Sequence, residues 1–447
     1  MRIENFADVG YDETNIFMAN YDWRLSFHHL EERDHYFSNL KMNMEHMYRH
    51  NGNRANVIVT HSMGTPVCMY FLKWVESEKG GNGGKDWVSK HVKSVISVGG
   101  VFAGVPKVVS SILSGETKDT AFLDPFVLSI KDVWLPAHQL SKFFQSLGSL
   151  GSMLPKGGDL VWGDSEGAID DREQNISFGT LLDMKWRGGN CMRGDFVCKN
   201  RKSEFEEMIP DCERKSASEK NYTVEGTMDL LREKVAPKLM KKMDRWYEFG
   251  YYEDEDLLEA NAEDPRAWTN PFATQLPNAP DLEIYCTYGI GFNTERGYFY
   301  TNNQNYGCEN DVPFVIDTSI VSKESNYTRG VQVSDGDGTV PLLSLAFPCV
   351  NTWKKKKYNP HGVKVYVREF EQENISMVEG ALRFTSKATE HVDIIGNFAL
   401  IQEILKIASN HPDRPQTDRI FSDIHKISER FEERLKKREK KEEVRVV

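Results

Sequence analysis

The sequence predicts a doubly wound α/β protein: a mostly parallel sheet with helices on both faces and a large insertion. Three observations carry this. Short β-rich apolar runs alternate with stretches of helical period, the alternation breaks over a long polar segment, and it resumes toward the C-terminus. The first apolar runs are "TNIFMANYDW" (14–23) and "NVIVTHS" (56–62). Between them, "EERDHYFSNLKMNMEHMYRHNG" (31–52) carries apolar residues at helical spacing and ends on Asn-Gly. "GTPVCMYFLKWVESEKGG" (64–81) reads as the next helix, closed by glycines, and "HVKSVISVGGVFAGVP" (91–106) as a third strand with its turn. From about 108 to 280 the pattern loosens into turn-rich, polar and cysteine-bearing stretches, the expected cap or insertion. Sheet grammar returns at "LEIYCTYGIG" (282–291) and "VKVYVREF" (363–370), and "VDIIGNFALIQEILKIA" (392–408) is a final amphipathic helix. These features divide the chain into a first core part (1–107), an insertion (108–280), a second core part (281–424) and a charged tail (425–447) expected to be a solvated helix or a frayed end.

Composition narrows the function. With 447 residues the chain is long enough for a large core, and a formal net charge of -11 excludes a broad nucleic-acid surface. No window of eighteen consecutive apolar residues suggests a membrane span. The opening "MRIENFADVGYDE" has neither the basic start nor the apolar stretch of a secretory signal. Yet four N-x-S/T sequons (Asn175, Asn221, Asn326, Asn374) and seven cysteines suit an oxidising compartment. An odd cysteine count leaves at least one without a partner in the chain. Cys191 and Cys198 have the spacing of a small loop staple, with Cys212 open, and Cys68 in an apolar helical run reads as a buried thiol. No paired C-x2-C occurs, which argues against zinc.

The chemistry lies in "VIVTHSMGTPVCMY" (57–70). A strand running into His-Ser-Met-Gly and then a helix is the setting of a nucleophile elbow, whose sharp turn lifts a serine hydroxyl above the carboxyl edge of the sheet. Gly64 supplies the small residue after Ser62, but Thr60 stands where the G-x-S-x-G pattern has its first glycine. On this stretch alone, a serine capping a helix competes equally with a nucleophile. The rest of the chain shifts the balance. "QVSDGDGTVPLLS" (332–344) puts acids in a glycine-rich turn after a strand, and "TEHVDIIGN" (389–397) puts His391 just before a helix. Serine, acid, histidine is the order of an α/β-hydrolase, and the separation of 275 from Ser62 to Asp337 accommodates a cap. A serine hydroxyl is a poor nucleophile until a histidine takes its proton, and the carboxylate fixes that histidine's tautomer. Asp337, directly before "GTVP", is the chosen acid, with Asp335 shaping the turn. Among twelve histidines, His61 is expected to point away from the serine, and His28, His29 and His138 have no catalytic context.

Taken together, "GYDETNIFMANYDWRLSF" (10–27), "HSMG" (61–64), "YFLKWVE" (70–76), "GVPK" (104–107), "KGGDLVWG" (156–163), "DGDGTVPLLSL" (335–345) and "EHVDIIGN" (390–397) resemble the lecithin–cholesterol acyltransferase family, and within it the eukaryotic phospholipid:diacylglycerol acyltransferases. The resemblance spans nearly the whole chain in order. It implies an α/β-hydrolase fold with a cap, a Ser62–Asp337–His391 triad and an oxyanion donor at the Met63 N–H. It also implies a disulfide between Cys308 and Cys349 that holds the acid-bearing loop, and a place on the luminal side of the endoplasmic reticulum, at a membrane surface. The partners it implies are a phospholipid acyl donor and a diacylglycerol acceptor. No cofactor is called for, because an ester is already activated enough for covalent catalysis.

Two departures stand out. Val101 occupies a position where relatives show proline. More seriously, relatives carry a membrane anchor, the first sheet strands, a second oxyanion donor and a lid segment ahead of "GYDETN", and the resemblance implies that these first strands are missing here. Loss of one oxyanion donor costs roughly a hundred- to a thousandfold in rate. Competing readings are therefore a phospholipase A or lipase of the same family, or a catalytically inactive remnant. Asp22 and Trp23 in "YDWR" follow an expected strand end, where ligands bind such sheets; they are candidates to line the site, with an Asp–Arg pair beneath the elbow as the structural alternative.

Overall fold

The computed structural model of the chain describes residues 3–123, 136–172, 176–186, 218–303, 312, 314–372 and 388–446. Its strands are β1 (Asn56–His61), β2 (Val92–Val98), β3 (Leu182–Trp186), β4 (Ser218–Tyr222), β5 (Glu283–Ile290), β6 (Thr294–Asn302), β7 (Phe314–Ile316), β8 (Tyr327–Thr328), β9 (Val331–Ser334) and β10 (Lys364–Glu371). β1, β2, β5 and β10 form a parallel sheet in that order, with His61 paired to Val98 and both Ser97 and Val367 to Cys286. Every residue of β5 is buried, and all of β2 but Lys93. Strands covered by helices on both faces read as continuous apolar runs, which is why these two were legible. Mixed α/β architecture with a parallel sheet agrees with the predicted fold class.

β1, the strand that leads to Ser62, has only the β2 side of its ladder filled among the described residues, and most of its residues are half-buried. The expected strand at 14–23 does not form. Its backbone makes local turns instead, with the Asn15 and Ile16 N–H groups donating to the Asp12 carbonyl and Asn20 to Met18, and Phe17, Met18 and Trp23 are exposed. Composition supplies β propensity, but a strand exists only with a ladder partner, and none is found for this segment among the described residues. The expected single helix over 31–52 is two, Phe27–Asp34 and Tyr36–His50, broken at His35 in a left-handed conformation. There the Glu31 carboxylate accepts the N–H groups of Phe37 and Ser38 at the second helix's start.

A second, six-stranded sheet runs β4-β3-β6-β9-β8, with β7 on β6. Because β3 from the insertion pairs in parallel with β6, the boundary expected at 280/281 is crossed by one continuous sheet. The C-terminal segment also departs from expectation. Ile424, Ile427, Phe431 and Leu435 of the helix Ile424–Val446 are buried, and the Phe431 ring lies 4.9 Å from that of Phe347. Their spacing is a helical stripe, overlooked among the surrounding charges.

Cys349, in the buried helix Leu342–Val350, is bonded to Cys286 on β5, not to Cys308. This corrects the pairing implied by the family resemblance: the helix packs over β5, so two fully buried sulfurs meet inside the core. Cys308, the Cys191, Cys198 and Cys212 group, Asn175 and Asn374 lie outside the described residues. Cys68 is a free, buried thiol pushed up to about 12 by burial. No described helix is long and apolar enough to cross a membrane.

Peptide mapping of unreduced protein is expected to recover a Cys286–Cys349 cross-link. Because the bond closes 63 residues, Cys349→Ser is expected to cost roughly 2–4 kcal/mol in denaturant unfolding. Lys156 offers a second check. It is fully buried, its ammonium donates to the Ser152 carbonyl, and desolvation pushes its pKa down to about 7. A lysine depressed on folding binds fewer protons in the native state than in the unfolded one between about pH 7 and its ordinary value near 10.4, so stability rises with pH there by up to about 1.4 kcal/mol per unit. Lys156→Met is expected to flatten that slope in denaturation series at pH 7 and 9.

Candidate active site

At the carboxyl end of β1 the chain turns through Ser62, whose φ of 54° lies in the left-handed region. For a serine that conformation costs on the order of 1–3 kcal/mol and persists only where its surroundings over-determine it. Here they do. The Ser62 N–H donates to the Val98 carbonyl of β2 at 3.0 Å, and the Ser62 carbonyl accepts from Thr65 at 3.0 Å as the helix Gly64–Trp74 begins. The turn's departure from the glycine pattern also has a physical account. The Thr60 hydroxyl is 2.9 Å from that of Thr65, which is 2.9 Å from that of Ser97, a buried hydroxyl chain beneath the elbow. Gly64 is less constrained than the motif suggests: a β-carbon there would stand 3.8 Å from Thr60 Cβ and 4.0 Å from the Tyr21 hydroxyl. The Met63 N–H makes no hydrogen bond among the described residues and is free to serve a ligand.

The acid comes from the turn after β9. Asp335 accepts the N–H groups of Gly291 and Gly336, tying the turn to the end of β5, and burial raises its pKa. Asp337 is almost completely buried; its Oδ1 accepts from the N–H groups of Thr339 (3.1 Å) and Val340 (2.8 Å). Its Oδ2 faces Nδ1 of His391 at 2.6 Å, and Nε2 of His391 lies 2.8 Å from the Ser62 hydroxyl. A carboxylate only accepts, so Nδ1 carries the proton and Nε2 is left with its lone pair toward Ser62. That is the arrangement in which a serine proton can be withdrawn as the oxygen attacks a carbonyl.

The histidine is held by its backbone as well as its ring. Its N–H donates to the Asp337 carbonyl at 2.9 Å, and its own carbonyl lies 2.8 Å from Nε2 of His61. His61 turns toward the base, with ring centroids 5.0 Å apart. Two glycines missed in the sequence make room. A β-carbon on Gly99 would sit 3.0 Å from His391 Nδ1 and 3.2 Å from Asp337 Oδ2, and one on Gly289 would lie 1.7 Å from the Thr389 carbonyl oxygen. Their signal was glycine at the carboxyl ends of two buried strands, where another backbone approaches closely.

Asp22 and Trp23 are not brought to this chain of bonds. The Asp22 carboxylate accepts from Arg24 and Arg33, which lower its pKa, but both arginines are more than half exposed, so the pair is at the surface and not beneath the elbow. Trp23 is exposed. Their neighbour Tyr21 is the residue that reaches Gly64.

Gly289→Ala is expected to push the Thr389–His391 segment off position. A shift of about 1 Å is enough for a loss of ~10²-fold in the reactivity of Ser62 toward a phosphonate ester, measured against thermal unfolding of the same variant.

The sequence profile of the lecithin:cholesterol acyltransferase family matches residues 2–398. Among curated proteins, the phospholipid:diacylglycerol acyltransferase of Schizosaccharomyces pombe is 36% identical over 95% of this chain and 61% of its own length. Phospholipid:diacylglycerol acyltransferase 1 of Arabidopsis thaliana is 34% identical over 97% of this chain and 71% of its own. The Saccharomyces cerevisiae enzyme of the same name is 33% identical over 92% and 57%. The chain thus spans between 57% and 71% of the length of these three relatives. By the extent of the profile match and by these identities, the chain belongs to the lecithin:cholesterol acyltransferase family.

Proposed function

We propose that this chain is an O-acyltransferase that moves a fatty acyl group from a phospholipid to diacylglycerol, through Ser62, His391 and Asp337. The observation that carries the reading is the continuous hydrogen-bond chain from the Ser62 hydroxyl through His391 to Asp337, mounted on a strained turn. Relatives named phospholipid:diacylglycerol acyltransferases support the choice of substrates.

In the first half-reaction Ser62 Oγ attacks the ester carbonyl carbon while its proton passes to His391 Nε2. The carbonyl electrons move onto oxygen, which faces the Met63 N–H, a donor of the oxyanion-hole kind. Collapse expels the lysophospholipid oxygen, which takes the proton from His391, and leaves an acyl ester on Ser62. In the second half-reaction a diacylglycerol hydroxyl gives its proton to His391 as it attacks that ester, and collapse returns the proton to Ser62 and releases triacylglycerol. Asp337 stays ionised and stabilises the imidazolium in both halves. Work at a membrane surface on the luminal side of the endoplasmic reticulum is part of the proposal. The Cys286–Cys349 bond supports it, since such bonds persist in oxidising compartments.

Transfer to water in place of diacylglycerol is the second reading, because the same three residues serve either acceptor. A fluorophosphonate ester is expected to label the wild-type protein stoichiometrically, with Ser62→Ala and His391→Ala abolishing labelling and Asp337→Asn slowing it by about 10⁴-fold. With labelled phospholipid and diacylglycerol, triacylglycerol is the expected product. Free fatty acid alone would establish the lipase reading, and folded protein that takes no label would sink both in favour of an inactive remnant.

A further inference from the structure

We propose that His61 is a positioning residue: its Nε2–H holds the backbone carbonyl of His391 and so fixes the base relative to Ser62, the next residue in the chain after His61. The inference rests on the reading of Ser62, His391 and Asp337 as a catalytic chain.

Nε2 of His61 lies 2.8 Å from the His391 carbonyl oxygen. A carbonyl oxygen only accepts, so the proton of a neutral His61 sits on Nε2. The ring is largely withdrawn from solvent, and burial lowers its pKa, which favours that neutral form.

The need for such a hold follows from how His391 is mounted. The segment is anchored just before His391, where the Thr389 hydroxyl donates to Gln372 Oε1 at the β10 end at 3.3 Å and the Ala388 carbonyl accepts from Asn397 at 3.0 Å, and neither bond reaches the elbow. The His391 N–H is spent on the Asp337 carbonyl, which fixes the histidine to the acid turn. Its side-chain bonds to Asp337 and Ser62 orient the ring but leave the distance between its Cα and the elbow to the backbone. The His61 bond supplies that distance. Because His61 and Ser62 share a peptide unit, and Ser62 is fixed to Val98, the carbonyl of the base is referenced directly to the nucleophile's backbone. Each of the His391 backbone polar groups is thus bonded to the residue of, or beside, another member of the chain.

A purely structural role would make His61 a space-filler packed against His391 with ring centroids 5.0 Å apart, and bulk alone would then suffice. Leucine keeps bulk and loses the donor. Glutamine puts an amide N–H at the same bond count from Cα as Nε2 and keeps it. With a fluorophosphonate ester, His61→Leu is expected to lower the maximal inactivation rate constant by ~10- to 100-fold with half-saturating concentration unchanged, and His61→Gln to recover to within about threefold of wild type. His61→Leu that reacts at the wild-type rate, or His61→Gln as slow as His61→Leu, overturns the inference and leaves the triad reading intact. Wild-type protein that never reacts overturns both. Should His61→Leu not fold, NMR of protein labelled with ¹⁵N-histidine reads the wild-type tautomer directly: protonation at Nε2 of His61 is expected, and the Nδ1–H tautomer overturns the proposal.

Discussion

The hydrogen bond between the Ser62 hydroxyl and Nε2 of His391 joins residues 329 apart in sequence, and much of the fold is organised to make that 2.8 Å contact possible. Neither partner is placed by its own neighbours in sequence. Ser62 is set by β1 pairing with β2, and His391 by an acid turn that is itself pinned to the end of β5 through Asp335. Since β1, β2 and β5 are hydrogen-bonded in one parallel sheet, the positions of all three groups are fixed against a common frame at its carboxyl edge. Ligands bind at that edge in open α/β sheets because the strand ends and their loops converge there.

Rigidity beneath the site comes from burial and cross-linking. β5 is buried along its length, and its Cys286 is bonded to the helix that follows the acid turn. The Asp337 turn therefore runs between two segments, β9 and the helix Leu342–Val350, and the second is tied covalently to the sheet. The C-terminal helix adds a layer over that helix through Phe431 and Phe347. Strain at Ser62 is tolerable in such a setting, because relaxing it would require breaking the β1–β2 register or the hydroxyl chain from Thr60 to Ser97.

In the proposed reaction the choice of acceptor has a physical basis outside the three side chains. From one position His391 would take a proton from water or from an alcohol, and the Met63 N–H would face the oxyanion formed by either attack. Selection for an alcohol comes from excluding water around an acyl-enzyme and admitting a second lipid, which is a property of the walls and not of the three reacting side chains.

The sequence by itself determined the parts governed by local pattern. The buried strands β2 and β5 were readable as apolar runs, the elbow as a strand-to-helix turn, and Ser62, Asp337 and His391 by chain order and turn context, now found joined by hydrogen bonds through His391. What the tertiary structure decided depends on partners distant in sequence. Segment 14–23 had strand composition but has no ladder partner among the described residues, and β3 pairs with β6, so one sheet takes strands from both sides of 280/281. Cys349 met Cys286 because a helix crosses β5, and Ile424, Ile427, Phe431 and Leu435 were buried by a surface no local reading supplies. His61 looked idle because adjacent residues on an elbow diverge; only the return of a loop 330 residues later gave its N–H an acceptor. Propensity and period act over a few residues, whereas pairing, packing and reach are settled by the whole chain at once.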